Sequence, residues 1–202
     1  MNTAPRTYSE NRKIRIALVG CGRISTNHIK SILINKDRAE LSAICDSSQE
    51  RIISAIAIFN ENSNDDTTTN YIPTQFDNYQ KLLQDIKLGK IQIDLIVLCT
   101  PSGLHPAQTI AAAEIGVNVC TEKPMATNWE DGLKMVNACK KAGVHLFVVK
   151  QNRLNSTLQL VRNQIIRGRF GRIAMVSVNV FWHRPQEYYD QDVWRGTWQL
   201  DG

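Results

Sequence analysis

Gly20-Cys21-Gly22-Arg23-Ile24-Ser25 stands between a short apolar run, residues 14–19, and a stretch of helical spacing that begins near Ile24. In that setting each glycine has a physical task. Gly20 permits a tight turn out of a strand, and Gly22, lacking a side chain, lets a phosphate come close to the backbone. The helix that follows adds unpaired N–H groups and the positive end of its dipole. The turn is therefore read as the cradle of a dinucleotide pyrophosphate, held by Gly20, Gly22, Arg23 and Ile24. Ser25 takes the third position, where glycine or alanine is usual, so helix-to-strand packing has to adjust there. Asp46 lies 24 positions after Gly22, at the end of a second apolar run. A carboxylate there accepts hydrogen bonds from the adenosine ribose hydroxyls and repels a 2′-phosphate, which favours NAD over NADP, with Arg51 able to offset part of the repulsion. The competing role for Asp46 is to cap the helix that starts near Ser48.

Two further groups fall where strands end. Cys99-Thr100-Pro101-Ser102, with His105 shortly after, closes the run 93–99. Open parallel sheets bind ligands at the carboxyl ends of their strands, so Thr100, Pro101, Ser102 and His105 are read as cofactor-side residues. Thr100 and Ser102 serve equally well as caps for the next helix. Glu122-Lys123-Pro124 follows the run 118–121 and falls on the same edge. The Lys123 ammonium would point into the crevice that takes the nicotinamide, where it can hydrogen-bond a sugar hydroxyl and stabilise developing alkoxide charge. Glu122 is grouped with the cofactor contacts, and Pro124 restricts the backbone beside Lys123.

The elements that must position these groups follow from periodicity. The apolar run at 14–19 reads as a strand buried on both faces, and the runs at 41–45, 93–99, 118–121 and 145–149 read as further strands. Between them, helical spacing predicts helices near 24–34, 48–59, 79–88, 105–115 and 128–142, three of them stopping at Gly89, Gly116 and Gly143. The expected buried stripes are Ile24, His28, Ile32 and Leu33 in the first helix, and Ile52, Ile53, Ala55 and Ile56 in the second. Residues 60–70, almost wholly polar, read as an exposed insertion. Strand and helix alternate over about 150 residues, which predicts an α/β Rossmann domain with a doubly wound parallel sheet over residues 1–150. Beyond Lys150 the pattern changes to a helix at 156–166, a turn at 168–171 and an alternating strand at 173–182. Residues 151–202 are therefore expected to begin an incomplete α+β domain for substrate binding and oligomerisation.

Composition bounds the rest. The chain is 43% hydrophobic, enough for a packed core, and contains no apolar stretch of membrane-spanning length. A polar start without a signal sequence predicts a cytoplasmic protein that does not engage the membrane. The net charge of +5 is dispersed, which argues against nucleic acid as a partner. Two local basic groups, Arg6, Arg12, Lys13 and Arg15, and Arg162, Arg167, Arg169 and Arg172, are solvated faces or contacts for a phosphate-bearing substrate. The five cysteines lie far apart, without a Cys-x-x-Cys pair or nearby histidines, so they read as small buried residues in a reducing compartment, with no metal site.

Taken together, the glycine turn, Cys99-Thr-Pro-Ser102, Glu122-Lys-Pro124 and the change of pattern near residue 150 resemble the Gfo/Idh/MocA oxidoreductases. That resemblance implies hydride exchange between a ring hydroxyl of a sugar or cyclitol and NAD, with Lys123 as the catalytic residue that contacts substrate. A narrower likeness lies in Val148-Val-Lys-Gln-Asn-Arg153, in residues 179–190 and in Trp194-Arg-Gly-Thr-Trp198. These segments are similar to bacterial enzymes that oxidise C3 of UDP-2-acetamido-2-deoxy-glucuronate in surface polysaccharide biosynthesis. The likeness implies a UDP-sugar acid as the small-molecule partner and a homo-oligomer, dimer or tetramer, at full length. Lys150, Arg153, Arg184 and Arg195 supply cations for a carboxylate and a diphosphate, and Tyr188 joins the substrate-binding set. The alternatives are a dehydrogenase of a free sugar or cyclitol, and an NAD-binding fragment without turnover. The family's Gly-x-His-x-x-Asp pattern does not occur in the 202 residues, so the chain is expected to be an N-terminal part, with that histidine and aspartate beyond Gly202.

Overall fold

The computed structural model describes residues 12–63 and 72–202. Six strands, β1 (Ile14–Val19), β2 (Ala39–Cys45), β3 (Thr74–Phe76), β4 (Leu95–Leu98), β5 (Asn118–Thr121) and β6 (Leu146–Val148), form one sheet in the order β3-β2-β1-β4-β5-β6. Every pairing is parallel. Helices α1 (Ser25–Ile34), α2 (Gln49–Asn62), α3 (Tyr79–Lys87), α4 (His105–Glu114) and α5 (Trp129–Ala142) make the crossovers. This is the Rossmann arrangement that the alternation predicts.

The uninterrupted apolar strands are explained by burial on both faces. Ile16 and Leu18 pack with Ile29, Ile32, Ile52, Ala55 and Phe59 on one side, while Ala17 and Val19 pack with Leu82, Leu98, Ala112 and Val119 on the other. A register shift between Ile16 and Ala17 lets β2 carry one extra residue. The extra residue resets the alternation, so that Leu41 and Ile44 face one layer while Ala43 and Cys45 face the other. The helices start where side chains satisfy their first N–H groups: Ser48 Oγ accepts from Arg51, and the Asn78 and Asn128 amide oxygens accept from Lys81 and Asp131.

Several sequence expectations are corrected in detail. The buried stripe of α1 is Ser25, Ile29 and Ile32, rotated one position from the expected one, and that of α2 is Ile52, Ala55 and Phe59, with Ile53 turned to solvent. The third strand, β3, is three residues long with only Phe76 buried, too short to show a period. Helix α2 extends to Asn62, into the stretch read as insertion, and residues 64–70 of that stretch lie outside the described residues.

After β6 the chain forms helix α6 (Ser156–Ile166) and the short helix α7 (Gln186–Asp190). The strand expected at 173–182 is not formed. The alternation is present in the residues, but a strand exists only as one side of a hydrogen-bonded ladder, and no second strand pairs with this segment among the described residues. Val176, Val178, Val180, Phe181 and Trp182 are exposed as a result. Gln186–Asp190, which carries no clear helical periodicity, is helical instead.

At the amino edge of the sheet, Asp94 accepts from Arg12 Nη1 at 2.7 Å, from Arg15 Nε at 3.0 Å and from the Arg15 amide at 3.0 Å. Two of the basic residues read as a solvated group are thus structural. Burial alone would raise the Asp94 pKa, but the hydrogen bonds from Arg15 and Arg12 outweigh it and hold the carboxyl well below the ordinary carboxylate range. A carboxylate with a depressed folded-state pKa stabilises the fold above its unfolded value near 4, and the stabilisation is lost as pH falls toward the folded value. Asp94→Asn is therefore expected to cost about 3 kcal/mol at neutral pH. It should also flatten the dependence of stability on pH in acid, both measured by urea unfolding across a pH series.

Candidate functional site

Because the sheet is wholly parallel, all six strands release their chains on one edge, and the order reverses between β1 and β4. Gly20 sits at that reversal with φ +89°, and a β-carbon there would lie 2.7 Å from the Cys99 carbonyl carbon and 2.8 Å from the Thr100 nitrogen. Gly22 is different: nothing lies within 4 Å of the space its side chain would take. Next to that open space, the amides of Gly22, Arg23 and Ile24 make no hydrogen bond within the described residues. Three free donors, an open approach and the start of a ten-residue helix make an anion cradle. Ser25 fits its tight position by donating to the Gly22 carbonyl at 2.6 Å, which consumes the hydroxyl that would otherwise be buried unpaired.

Asp46 follows β2 and fixes this turn from the side. Its Oδ2 accepts from the Cys21 amide at 2.7 Å and its Oδ1 from the Ser48 amide at 2.9 Å. Ser48 itself caps α2, so the capping role weighed for Asp46 belongs to its neighbour. The carboxylate keeps further lone pairs for donors from above. Cys21 is buried under the turn, and burial, with Asp46 beside it, pushes its thiol pKa up to about 12. Such a thiol is inert packing rather than a nucleophile. Among the described residues no group of three His, Cys, Asp or Glu side chains converges as a metal site would require.

After β4 and β5 the two remaining sequence groups meet. Thr100 Oγ1 donates to Gln108 Oε1 at 2.5 Å, and Ser102 is buried in a 3₁₀ turn. His105 lies below the edge rather than on it. It is 1% exposed, with Nδ1 at 3.0 Å from the Pro124 carbonyl oxygen and Nε2 at 2.9 Å from that of Thr100. Burial lowers its pKa, against the two carbonyls that favour the cation. It thus ties the loop after β4 to the loop that carries Lys123, and does not present its ring to the crevice. Glu122 is buried too, and accepts from His28 Nε2 at 2.8 Å and from the Lys123 amide at 3.2 Å. Burial would raise its pKa, but these two donors outweigh that and lower it. His28, assigned from the sequence to an apolar face, is therefore a polar link from α1 to the Glu-Lys-Pro loop. Lys123 itself is exposed, and its charge helps to hold the Glu122 pKa down.

The last seventeen residues return to this edge. Arg51 Nη2 donates to Asp192 Oδ1 at 2.8 Å, and the Gly103 amide donates to the Leu200 carbonyl at 2.9 Å. A β-carbon on Gly103 would press into the backbone of Gln199 and Leu200, which explains a glycine that the sequence reading passed over. Around the Tyr188 ring stand Arg195 at 4.4 Å, Arg184 at 4.8 Å and Arg23, from the glycine turn, at 5.9 Å. The Arg195 side chain is 7% exposed, pairs with Asp192 at 2.9 Å through Nη2, and leaves its Nη1 buried without an acceptor. The structure thus gathers Arg23, Arg184, Tyr188 and Arg195. Lys150 and Arg153 are exposed at the end of β6, and their side chains join no part of this cluster.

Comparison with known proteins agrees with this geometry. The model of the Gfo/Idh/MocA oxidoreductase family, described as having an NAD-binding Rossmann fold, matches residues 14–150. The chain is similar to the WlbA dehydrogenase from Bordetella pertussis, solved with NADH and UDP-GlcNAcA, at 53% identity and TM-score 0.83, covering 95% of this chain and 53% of that one. The WlbA enzyme from Chromobacterium violaceum, solved with the same two molecules, is similar at 48% identity and TM-score 0.85, covering 100% of this chain and 53% of that one. D-apiose dehydrogenase from Paraburkholderia graminis is 28% identical over 94% of this chain and 44% of its own length. The chain therefore spans about half the length of these relatives. Among the described residues no helix is long and apolar enough to cross a membrane.

The two glycines of the turn separate folding from binding. Gly20→Ala meets both a positive φ and backbone atoms that cannot move aside, and is expected to cost about 3 kcal/mol or more. Gly22→Ala places its methyl in open space and should change stability by about 0.5 kcal/mol at most. Thermal and denaturant unfolding of the two variants measures the contrast.

Proposed function

Since the chain belongs to the Gfo/Idh/MocA oxidoreductase family, with its NAD-binding Rossmann fold, we propose that it serves the NAD-dependent oxidation of the C3 hydroxyl of UDP-2-acetamido-2-deoxy-glucuronate to the 3-keto sugar. The observation that carries the proposal is the exposed Lys123 on the same sheet edge as the Gly20–Ser25 turn, an edge whose turn residue Arg23 also joins Arg184 and Arg195 around Tyr188. The likeness to two dehydrogenases solved with NADH and UDP-GlcNAcA supports the choice of substrate.

The residues present fit a dinucleotide. The open space over Gly22 admits a phosphate, the free amides of Gly22, Arg23 and Ile24 hydrogen-bond it, and Asp46 is oriented to accept from the adenosine ribose. Thr100, Pro101 and Ser102 line the other wall, supported from beneath by His105 and Glu122. NAD bound there supplies the hydride acceptor. Lys123 would hydrogen-bond the reacting hydroxyl and stabilise the negative charge that grows on its oxygen as the O–H proton leaves to water, a charge spent in forming the C=O bond as the hydride departs from C3. Arg184, Tyr188 and Arg195 bind the substrate's anionic groups, with the Arg195 Nη1 donor free for an acceptor. Lys150 and Arg153 contribute a second, more exposed pair of cations at the β6 end. In this reading residues 1–150 bind the cofactor and residues 151–202 begin the substrate-binding domain.

In a protein spanning the full length of the relatives, NAD and UDP-2-acetamido-2-deoxy-glucuronate together are expected to generate NADH fluorescence. Lys123→Met should lower kcat by about 10²- to 10³-fold, the cost of removing one donor to a developing oxyanion. Gly22→Ala should instead weaken NAD binding, measured by calorimetry, without unfolding the chain. NADH formed from a free sugar or cyclitol but not from the UDP-sugar would overturn the substrate assignment. NAD binding with turnover of neither would overturn the enzymatic reading.

A further inference from the structure

Arg51 is the only cation between Asp46 and Ile53, the stretch of chain that follows β2 and faces the adenosine ribose in the cofactor reading. A dinucleotide carrying a 2′-phosphate would need it. The phosphate would meet the Asp46 carboxylate, and a guanidinium one turn into α2 is the group that can compensate. In this structure that guanidinium is already engaged. Arg51 Nη2 donates to Asp192 Oδ1 at 2.8 Å, and the other Asp192 oxygen is held by Arg195 Nε at 3.1 Å and Nη2 at 2.9 Å. Asp192 therefore engages the one guanidinium of this stretch that could compensate a 2′-phosphate. Its own orientation is set by Arg195, whose side chain is 7% exposed.

We infer that Asp192, which is distant in sequence and outside the nucleotide-binding strands, is a cofactor-specificity residue that excludes NADP by sequestering Arg51. The inference rests on the NAD-binding reading of the edge, and it adds a determinant that lies 146 positions from Asp46. The Arg51 side chain is half exposed, so the effect is that of one partly solvated ion pair, on the order of fivefold in affinity rather than thousands.

The test is a double-mutant cycle read as the ratio of the NADP to the NAD dissociation constant at low ionic strength, where such a pair is least screened. Asp192→Asn is expected to lower that ratio by about fivefold. Arg51→Ala alone should leave it within about twofold, since Arg51 is already engaged by Asp192. Arg51→Ala on the Asp192→Asn background should remove most of the gain. Asp192→Glu, which keeps the charge, should hold the parent ratio and controls for disturbance of the fold. NAD binding with an unchanged ratio in Asp192→Asn, or a gain that survives loss of Arg51, overturns the inference while leaving the NAD site standing. A parent chain that binds neither nucleotide overturns both.

Discussion

Two backbone segments touch at the point where the sheet reverses its strand order, and the rest of the site depends on that contact. Gly20 leaves β1 with a positive φ and lies against the carbonyl of Cys99 and the amide of Thr100 at the end of β4. No side chain fits between them. The contact sets the direction in which α1 departs, hence the aim of the free amides at its start. It also sets the height of the loop after β4, from which His105 reaches the Pro124 carbonyl and so holds the loop that carries Lys123. The glycine turn and the loop that carries Lys123 are thus referred to one backbone contact, across which neither can drift independently. The cost of ordering both is met largely by the two apolar layers, since strands buried on each face leave the edge little freedom.

Much of this was legible in the residues because it rests on local rules. A glycine turn between an apolar run and a helical period, an acidic residue ending the next strand, and glycines after helices each carry their own reason. β1 and β5 fall at the residues expected of them. What escaped was set by partners far away in sequence. His28 looks apolar-facing until Glu122, 94 positions on, is seen to accept from it. Arg12 and Arg15 look like a solvated group until Asp94 is placed between them. The segment 173–182 shows the failure in the other direction. Its alternation is that of a strand, but period alone supplies no neighbour, and without one the backbone has no ladder to join.

The return of the last residues to the sheet edge is held by few contacts, each with a physical reason. The Gly103 amide and the Leu200 carbonyl make a backbone bond that only a glycine allows, given how near the Gln199 backbone comes. Asp192 joins Arg51, from α2, to Arg195. The half-exposed Arg51–Asp192 pair contributes about 1 kcal/mol at most. The contacts therefore define a register on the edge more than they supply stability, and the register is what brings Tyr188 over the glycine turn, with Arg23 near its ring.

That register creates an electrostatic imbalance. Arg23, Arg184 and Arg195 approach one tyrosine ring, and Asp192, already shared with Arg51, is the single carboxylate hydrogen-bonded in the group. Stacking a guanidinium on an aromatic face returns about 0.5–2 kcal/mol, more when water is excluded. A buried guanidinium nitrogen without an acceptor, as at Arg195 Nη1, costs about 1–3 kcal/mol or more. The two nearly cancel, so the aromatic contacts cannot be the reason that three cations are collected here. An anionic acceptor above Tyr188 would convert the uncompensated nitrogen into a charge-assisted hydrogen bond and relieve the repulsion between the arginines. Binding such a group and settling the segment on the sheet edge would then be the same event.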